Sequence, residues 1–178
     1  IDIPAVRLFP SDLCPGYFGC IRFDRVKSPL GEKKIHTASV SALLETSHRI
    51  PALDYCDLLS LTWQLTKREE EVEKMFTLMC FNVFAHNRDD HSNNFSFVYD
   101  GRWRLSPAYD LTYSNSVGGE HATTVAGEGK NPTIKDILAV AKKIGMKEAR
   151  ANQIAENIQE TVNDRLGRIM KQASKKIF

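Results

Sequence analysis

Asp89 and Asn94 lie five positions apart in HNRDDHSNNFSF, residues 86–97, and Asp110 ends the stretch WRLSPAYD that follows. A carboxylate can accept a proton from a hydroxyl or orient it. An Asn carbonyl oxygen and a second carboxylate suit a hard cation such as Mg²⁺, which takes oxygen ligands and keeps some of its waters. The D-x-x-x-x-N spacing lets the Asp89 carboxylate and the Asn94 amide oxygen face one small space. Between Asn94 and Asp110 runs FSFVYDGRWRLSPAY, whose Asp100-Gly101 pair is a hairpin turn signal. A hairpin there returns the chain and sets Asp110 beside Asn94.

One catalytic carboxylate with two oxygen ligands is the arrangement used in phosphoryl transfer by protein kinases. There a loop Asp takes the substrate proton, while an Asn and a second Asp hold Mg²⁺. Positioning and charge neutralisation do most of that chemistry, so three oxygen-bearing side chains suffice on this side of a site. D-x-x-x-x-N alone is a weak motif, and a polar surface loop of caps and turns is the plainer reading of it. A second chemistry is open to His86, Asp89, Asp90 and His91, which could hold a transition metal in a metal-dependent phosphoesterase. Their spacing fits no standard helical pair, and no third His is near in sequence, so a structural role is the simpler one for both histidines. His36, His48 and His121 are expected to be solvated or satisfied locally, with His121 on a loop able to reach the site. Arg88 is expected at the surface, and Trp103 and Tyr109 in hairpin packing.

These residues must be positioned by the elements around them. Thr66 and Glu69 suggest a T-x-x-E capping box, followed by Val72, Met75, Phe76, Met79, Cys80 and Val83 at three-and-four spacing. That is the apolar face of a buried helix, and it delivers the chain to the polar loop. Upstream, SVSALLE reads as a short helix and Leu53 to Leu65 as a longer one capped by Asp54. Pro4 to Phe9 reads as a strand. So does YFGCIRFDRV, residues 17–26, with Phe18, Cys20 and Phe23 facing a core and KIHTA as its return strand. Downstream, residues 114–132 form a long loop with a short strand at ATTVA. IKDILAVAKKIG then ends on Gly145 as a C-cap, and an amphipathic helix runs from Glu148 to Lys176.

The bulk properties narrow the class. A chain of 178 residues, 42% hydrophobic and 26% charged, is an ordinary globular composition. A net charge of +2 gives no case for nucleic acid or an acidic membrane surface. No apolar run suits a membrane span, the start has no secretory pattern, and the missing initiating Met suggests a fragment of a longer chain. Cys14, Cys20, Cys56 and Cys80 match no zinc spacing and are expected to be reduced thiols, as in a cytoplasmic protein.

RFDR at 22–25, NRDDHSNNFSF at 87–97, WRLSPAYDLT at 103–112 and GEHATTVAGEG at 119–129 resemble the HipA family of serine/threonine kinases, toxins of bacterial toxin–antitoxin modules. The resemblance runs from about Tyr17 through the final helices. It implies an α+β, mainly α-helical fold: a protein-kinase-like C-terminal lobe with a catalytic-loop β-hairpin. Residues 1–40 would be a β-rich N-terminal edge and hinge, and residues 41–178 the mostly helical lobe. It implies Asp89 as catalytic base, Asn94 and Asp110 as Mg²⁺ ligands, and His91, Ser92, Asn93, Tyr109 and Asp110 along the nucleotide. Ile21, Arg22 and Phe23 match the hinge segment that meets adenine, with Asp24 beside it; the family often carries Glu where this chain has Ile21. ATP and Mg²⁺ are the implied cofactors. The expected partners are an N-terminal lobe, an antitoxin and a protein substrate such as a translation factor, with no direct nucleic acid and no membrane. A phosphate-covering loop and its Lys have no counterpart before residue 17, so the chain by itself is expected to lack robust activity. A non-catalytic helical module that binds a partner is the remaining alternative.

Overall fold

A computed structural model describes residues 1–47 and 53–174; His48 and the expected helix end at Lys176 lie outside them. In chain order the elements are β1 (Val6–Phe9), β2 (Tyr17–Cys20), β3 (Arg25–Ser28), β4 (Gly31–Lys34), β5 (His36–Ser39), α1 (Val40–Leu43), β6 (Leu53–Asp54) and α2 (Tyr55–Thr66). There follow α3 (Glu69–Phe84), β7 (Ser96–Tyr99), β8 (Trp103–Leu105), β9 (Thr123–Thr124), α4 (Ile134–Lys143) and α5 (Glu148–Ser174). The fold is α and β mixed, with four small sheets among the described residues: β1–β2, β3–β4, β5–β7–β8 and the parallel pair β6–β9.

The core forms where α2, α3, α4 and α5 meet the inner face of the β5–β7–β8 sheet. Met75, Phe76, Met79 and Cys80 are fully buried, Val83 is nearly so, and Val72 is half-buried against them. They meet Tyr55, Leu58 and Leu59 of α2, Phe97 of β7, Ile137 and Val140 of α4, and Ala151 and Ala155 of α5. Glu71 is the exception on α3. Its buried carboxylate accepts the Leu105 N–H at 2.7 Å and the Lys74 ammonium at 2.7 Å, fastening α3 to β8. The turn between β7 and β8 places Gly101 at φ +106°, open to glycine and strained for any other residue. Gly145, at φ +76°, follows the end of α4 as expected of a helix stop.

Several expectations fail in instructive ways. The helix from Asp54 does form, with Asp54 and Asp57 making a reciprocal capping box. The Thr66–Glu69 box does not form, because Thr66 belongs to the last turn of α2 and its hydroxyl donates to the Thr62 carbonyl at 2.7 Å. Lys67 then turns left-handed and Arg68 leads into α3 with no side-chain cap. Residues 17–26 are two strands, interrupted where Arg22 and Arg25 both grip the Asp24 carboxylate. β3 turns back on β4, and β5, the expected return strand, pairs with β7 instead. Phe18 and Cys20 are exposed, and Phe23 is half-buried against Tyr109. All four cysteines are free thiols. No helix among the described residues is long and apolar enough to cross a membrane.

Candidate active site

α3 ends at Phe84 with Ala85 as its cap, and His86 takes a left-handed backbone at φ +53°. That turn swings the chain off the helix and into the loop. Asn87 is fixed at once, its backbone N–H to the Asn82 carbonyl at 2.9 Å and its side-chain amide to Asn82 Oδ1 at 3.0 Å. The loop then runs through Arg88, Asp89 and Asp90 to a 3₁₀ turn at Ser92–Asn94, closed by the Asn94 N–H on the His91 carbonyl at 2.9 Å.

Asp89 is exposed, with 53% of its side chain accessible, and His91 Nε2 stands 3.9 Å from its Oδ1. Asn94 donates its side-chain amide to the Asp89 carbonyl at 2.8 Å. This single bond draws the two motif residues together and commits the NH₂ group, keeping Oδ1 out of it. His91 and Asn93 are half-buried, while Ser92 is buried.

Asp110 is tied in from both flanks. On one side the Tyr109 hydroxyl donates to the Asn93 carbonyl at 2.6 Å and shares a 2.6 Å bond with the Ser96 hydroxyl. On the other, the Ser114 N–H donates to the His86 carbonyl at 3.0 Å, and Asn87 and Ser114 form a parallel bridge. Asp110 therefore sits on a short span anchored to both ends of the loop that carries Asp89 and Asn94. It is exposed and left-handed, at φ +55°, a conformation Asp tolerates better than most residues and one that collects at functional sites. The donor set fits a hard divalent cation: an exposed carboxylate and an amide oxygen whose NH₂ is already engaged. Burial pushes the Tyr109 phenol above its ordinary range; the Ser96 bond opposes that shift and the Asp110 charge adds to it.

The hinge residues meet this site at one point. Phe23 stacks on Tyr109 with ring centroids 5.6 Å apart. Ile21 is exposed and its N–H is used by the Ala5 carbonyl at 2.9 Å. Arg22 and Asp24 are paired with each other, and the Arg22 hydrogen bond holds the Asp24 carboxyl below its ordinary range.

Asp90, next to Asp89, points the opposite way. Its side chain has no exposure. Oδ2 accepts from the Tyr55 hydroxyl at 2.8 Å and pairs with His121 Nδ1 at 2.9 Å; Oδ1 accepts the N–H of Ala122 at 2.9 Å and of Thr123 at 3.3 Å. The Thr123 hydroxyl donates to the Asp90 carbonyl at 2.5 Å, and Asn82 donates to the Tyr55 oxygen at 2.8 Å. Burial first, and the Asp90 charge second, drive the Tyr55 phenol far above its ordinary range. This arrangement corrects two sequence expectations. His121 is neither solvated nor satisfied by a local partner: its loop does reach the site, and the ring is buried on Asp90. Asp90 has its lone pairs taken inside the protein, so it cannot serve a His86–Asp89–Asp90–His91 metal centre. No cluster of three or more His, Cys, Asp or Glu able to hold a metal occurs among the described residues. Sequence reasoning missed Tyr55, Asn82 and Asn87 in this network. The one available signal was Asn82, a polar residue inside the apolar stripe of α3.

Comparison with known proteins gives a consistent picture. Residues 1–166 match the family model described as the HipA-like C-terminal domain. No curated protein sequence matches the chain. Among solved structures, the fold matches HipA in a complex of the Shewanella oneidensis MR-1 toxin–antitoxin proteins HipA and HipB with operator DNA, at a TM-score of 0.77 and 15% identity. The match covers 96% of this chain but 45% of that HipA chain, so the residues here span less than half of that relative.

Proposed function

The chain belongs to the family of HipA-like C-terminal domains, and from that premise we propose that it is the C-terminal lobe of a serine/threonine protein kinase. In the complete protein, the γ-phosphoryl group of ATP passes to a protein hydroxyl. Residues 41–178 form the protein-kinase-like lobe, and residues 1–40 its edge and hinge. The hydroxyl oxygen attacks the γ-phosphorus, the bond to the β–γ bridging oxygen breaks, and ADP leaves. Asp89 orients the hydroxyl and takes its proton. Asn94 Oδ1 and the Asp110 carboxylate would hold Mg²⁺, which would neutralise the phosphate charge. Phe23, stacked on Tyr109, presents the hinge from Ile21 to Asp24 towards the base, and His91 to Asn93 line the nucleotide.

The observation that carries this reading is the anchoring of both flanks of Asp110, through Tyr109 and Ser114, to the two ends of the loop that holds Asp89 and Asn94. Leu13, Phe18 and Leu30 are 90%, 72% and 101% exposed, individual apolar side chains that a preceding lobe would cover. The relative crystallised with HipB and operator DNA motivates an antitoxin as the physiological partner; a cytoplasmic location and a translation factor as candidate substrate come from the family resemblance alone. The test is Asp89→Ala in the complete protein, assayed with labelled ATP and a Ser/Thr protein substrate. Phosphate transfer should drop by about 100-fold or more. Undiminished transfer would remove Asp89 from the mechanism.

A further inference from the structure

We propose that Asp90, held by Tyr55 and His121, is the positioning residue for Asp89, a role that rests on the kinase reading of Asp89 above. Asp89 has little of its own to hold it in place. Its carboxylate is exposed, and the His91 ring nitrogen beside it stands 3.9 Å away, beyond hydrogen-bond distance. The backbone on either side is, by contrast, pinned residue by residue. The Arg88 carbonyl accepts the Ala122 N–H at 3.1 Å, the Asp89 carbonyl accepts from Asn94 at 2.8 Å, and the Asp90 carbonyl accepts the Thr123 hydroxyl at 2.5 Å.

The strongest of these fixings is the Asp90 side chain. It gathers four donors from two places far apart in sequence: Tyr55 at the start of α2, and His121, Ala122 and Thr123 on the long loop. The two adjacent carboxylates point in different directions, Asp90 without exposure and Asp89 open to solvent. Locking Asp90 inward, where four donors compensate its burial, leaves Asp89 facing outward towards a substrate hydroxyl. Tyr55 is in turn held by Asn82, which also takes Asn87, so the same network fixes the first loop residue. Asp54 secures the long loop independently, accepting the Thr124 hydroxyl at 2.7 Å and the Gly127 N–H at 2.8 Å. The loop is therefore a fixed strut against which Asp90 can brace. Small misplacement of a reacting group is costly in phosphoryl transfer, so releasing this brace should slow the chemical step while leaving nucleotide binding in place.

The test is steady-state kinetics of the complete protein carrying Asp90→Asn, His121→Leu or His121→Asn, with unfolding temperatures measured alongside. Asp90→Asn and His121→Leu should each lower kcat by about ten-fold or more with KM for ATP unchanged. His121→Asn keeps an N–H near the position of Nδ1 and should recover most of kcat. A folded Asp90→Asn variant with wild-type kcat, whatever its unfolding temperature, overturns the proposal. If Asp90→Asn does not fold, Tyr55→Phe and Thr123→Val decide, since each removes one bond to Asp90 and conserves volume. A several-fold fall in kcat in both supports the proposal, and wild-type kcat in both overturns it. Asp89→Ala run in parallel separates the two readings. Phosphate transfer surviving that change removes the catalytic role of Asp89 on which the positioning rests, whereas its loss beside wild-type kcat in Asp90→Asn removes the positioning role alone.

Discussion

The Tyr109 hydroxyl is the smallest unit on which the site depends. It makes two 2.6 Å contacts, to Asn93 and Ser96, immediately before Asp110. Tyr109→Phe keeps the stack on Phe23 and removes both bonds, so it should cost about 1–2 kcal/mol in denaturant unfolding. A second residue-scale prediction concerns acid. Burial raises the Asp54 carboxyl, but hydrogen bonds from Cys56, Thr124 and Gly127 outweigh it and leave it below its ordinary value of 3.8. The folded state thus favours the ionised form. Its stabilisation is complete above about pH 4 and is lost as pH falls through the folded value. Asp54→Asn should flatten the acid limb of the stability profile, and an unaltered limb would show that the bonds to Thr124 and Gly127 contribute little. Asp89, Asn94 and Asp110 could be proposed together from the sequence because their spacing is local, and the structure ties the segments that carry them to one another. The partner of Asp90 was not, since His121 lies 31 positions away and nothing in a doublet of aspartates says which one turns inward.

At the scale of elements, the β7–β8 hairpin and the apolar face of α3 followed directly from a turn signal and from helical periodicity. Glu71 did not, because a carboxylate in the first turn of a helix reads as a partner for the helix dipole. Here it is buried and spans to β8. Glu71→Ala strands the buried Leu105 N–H and should destabilise by about 1–3 kcal/mol, measured by thermal or denaturant unfolding. Glu71→Gln should lose less, since an amide oxygen can still accept that bond. The broken strand at residues 21–24 escaped notice for a similar reason. Alternation marks extended backbone, but the grip of two arginines on Asp24 is a contact between side chains that periodicity does not carry. The lost capping box at Thr66 was a boundary error: α2 runs one residue past its expected end and takes the hydroxyl with it.

The whole molecule has an uneven distribution of packing. α3 lies in the core, whereas β1 and β2 pair only with each other, and every residue of the pair but Gly19 is exposed. A two-stranded hairpin is marginal in water without further burial. Amides of Val6–Phe9 and Tyr17–Cys20 in the isolated chain should therefore exchange orders of magnitude faster than those of α3, and gain protection in the complete protein. Equal protection in the isolated chain would argue against a covering lobe. The sequence showed the composition of this region but not its exposure, because an exposed strand and a buried one can carry the same residues. The central claim, that Asp89, Asn94 and Asp110 make one phosphoryl-transfer site, is tested most directly by a crystal structure of the complete protein with Mg²⁺ and a non-hydrolysable ATP analogue. The account predicts Mg²⁺ at about 2.1 Å from Asn94 Oδ1 and from an Asp110 carboxylate oxygen, with the Asp89 carboxylate facing the terminal phosphate. A nucleotide seated elsewhere, or a cation that touches neither Asn94 nor Asp110, would contradict it.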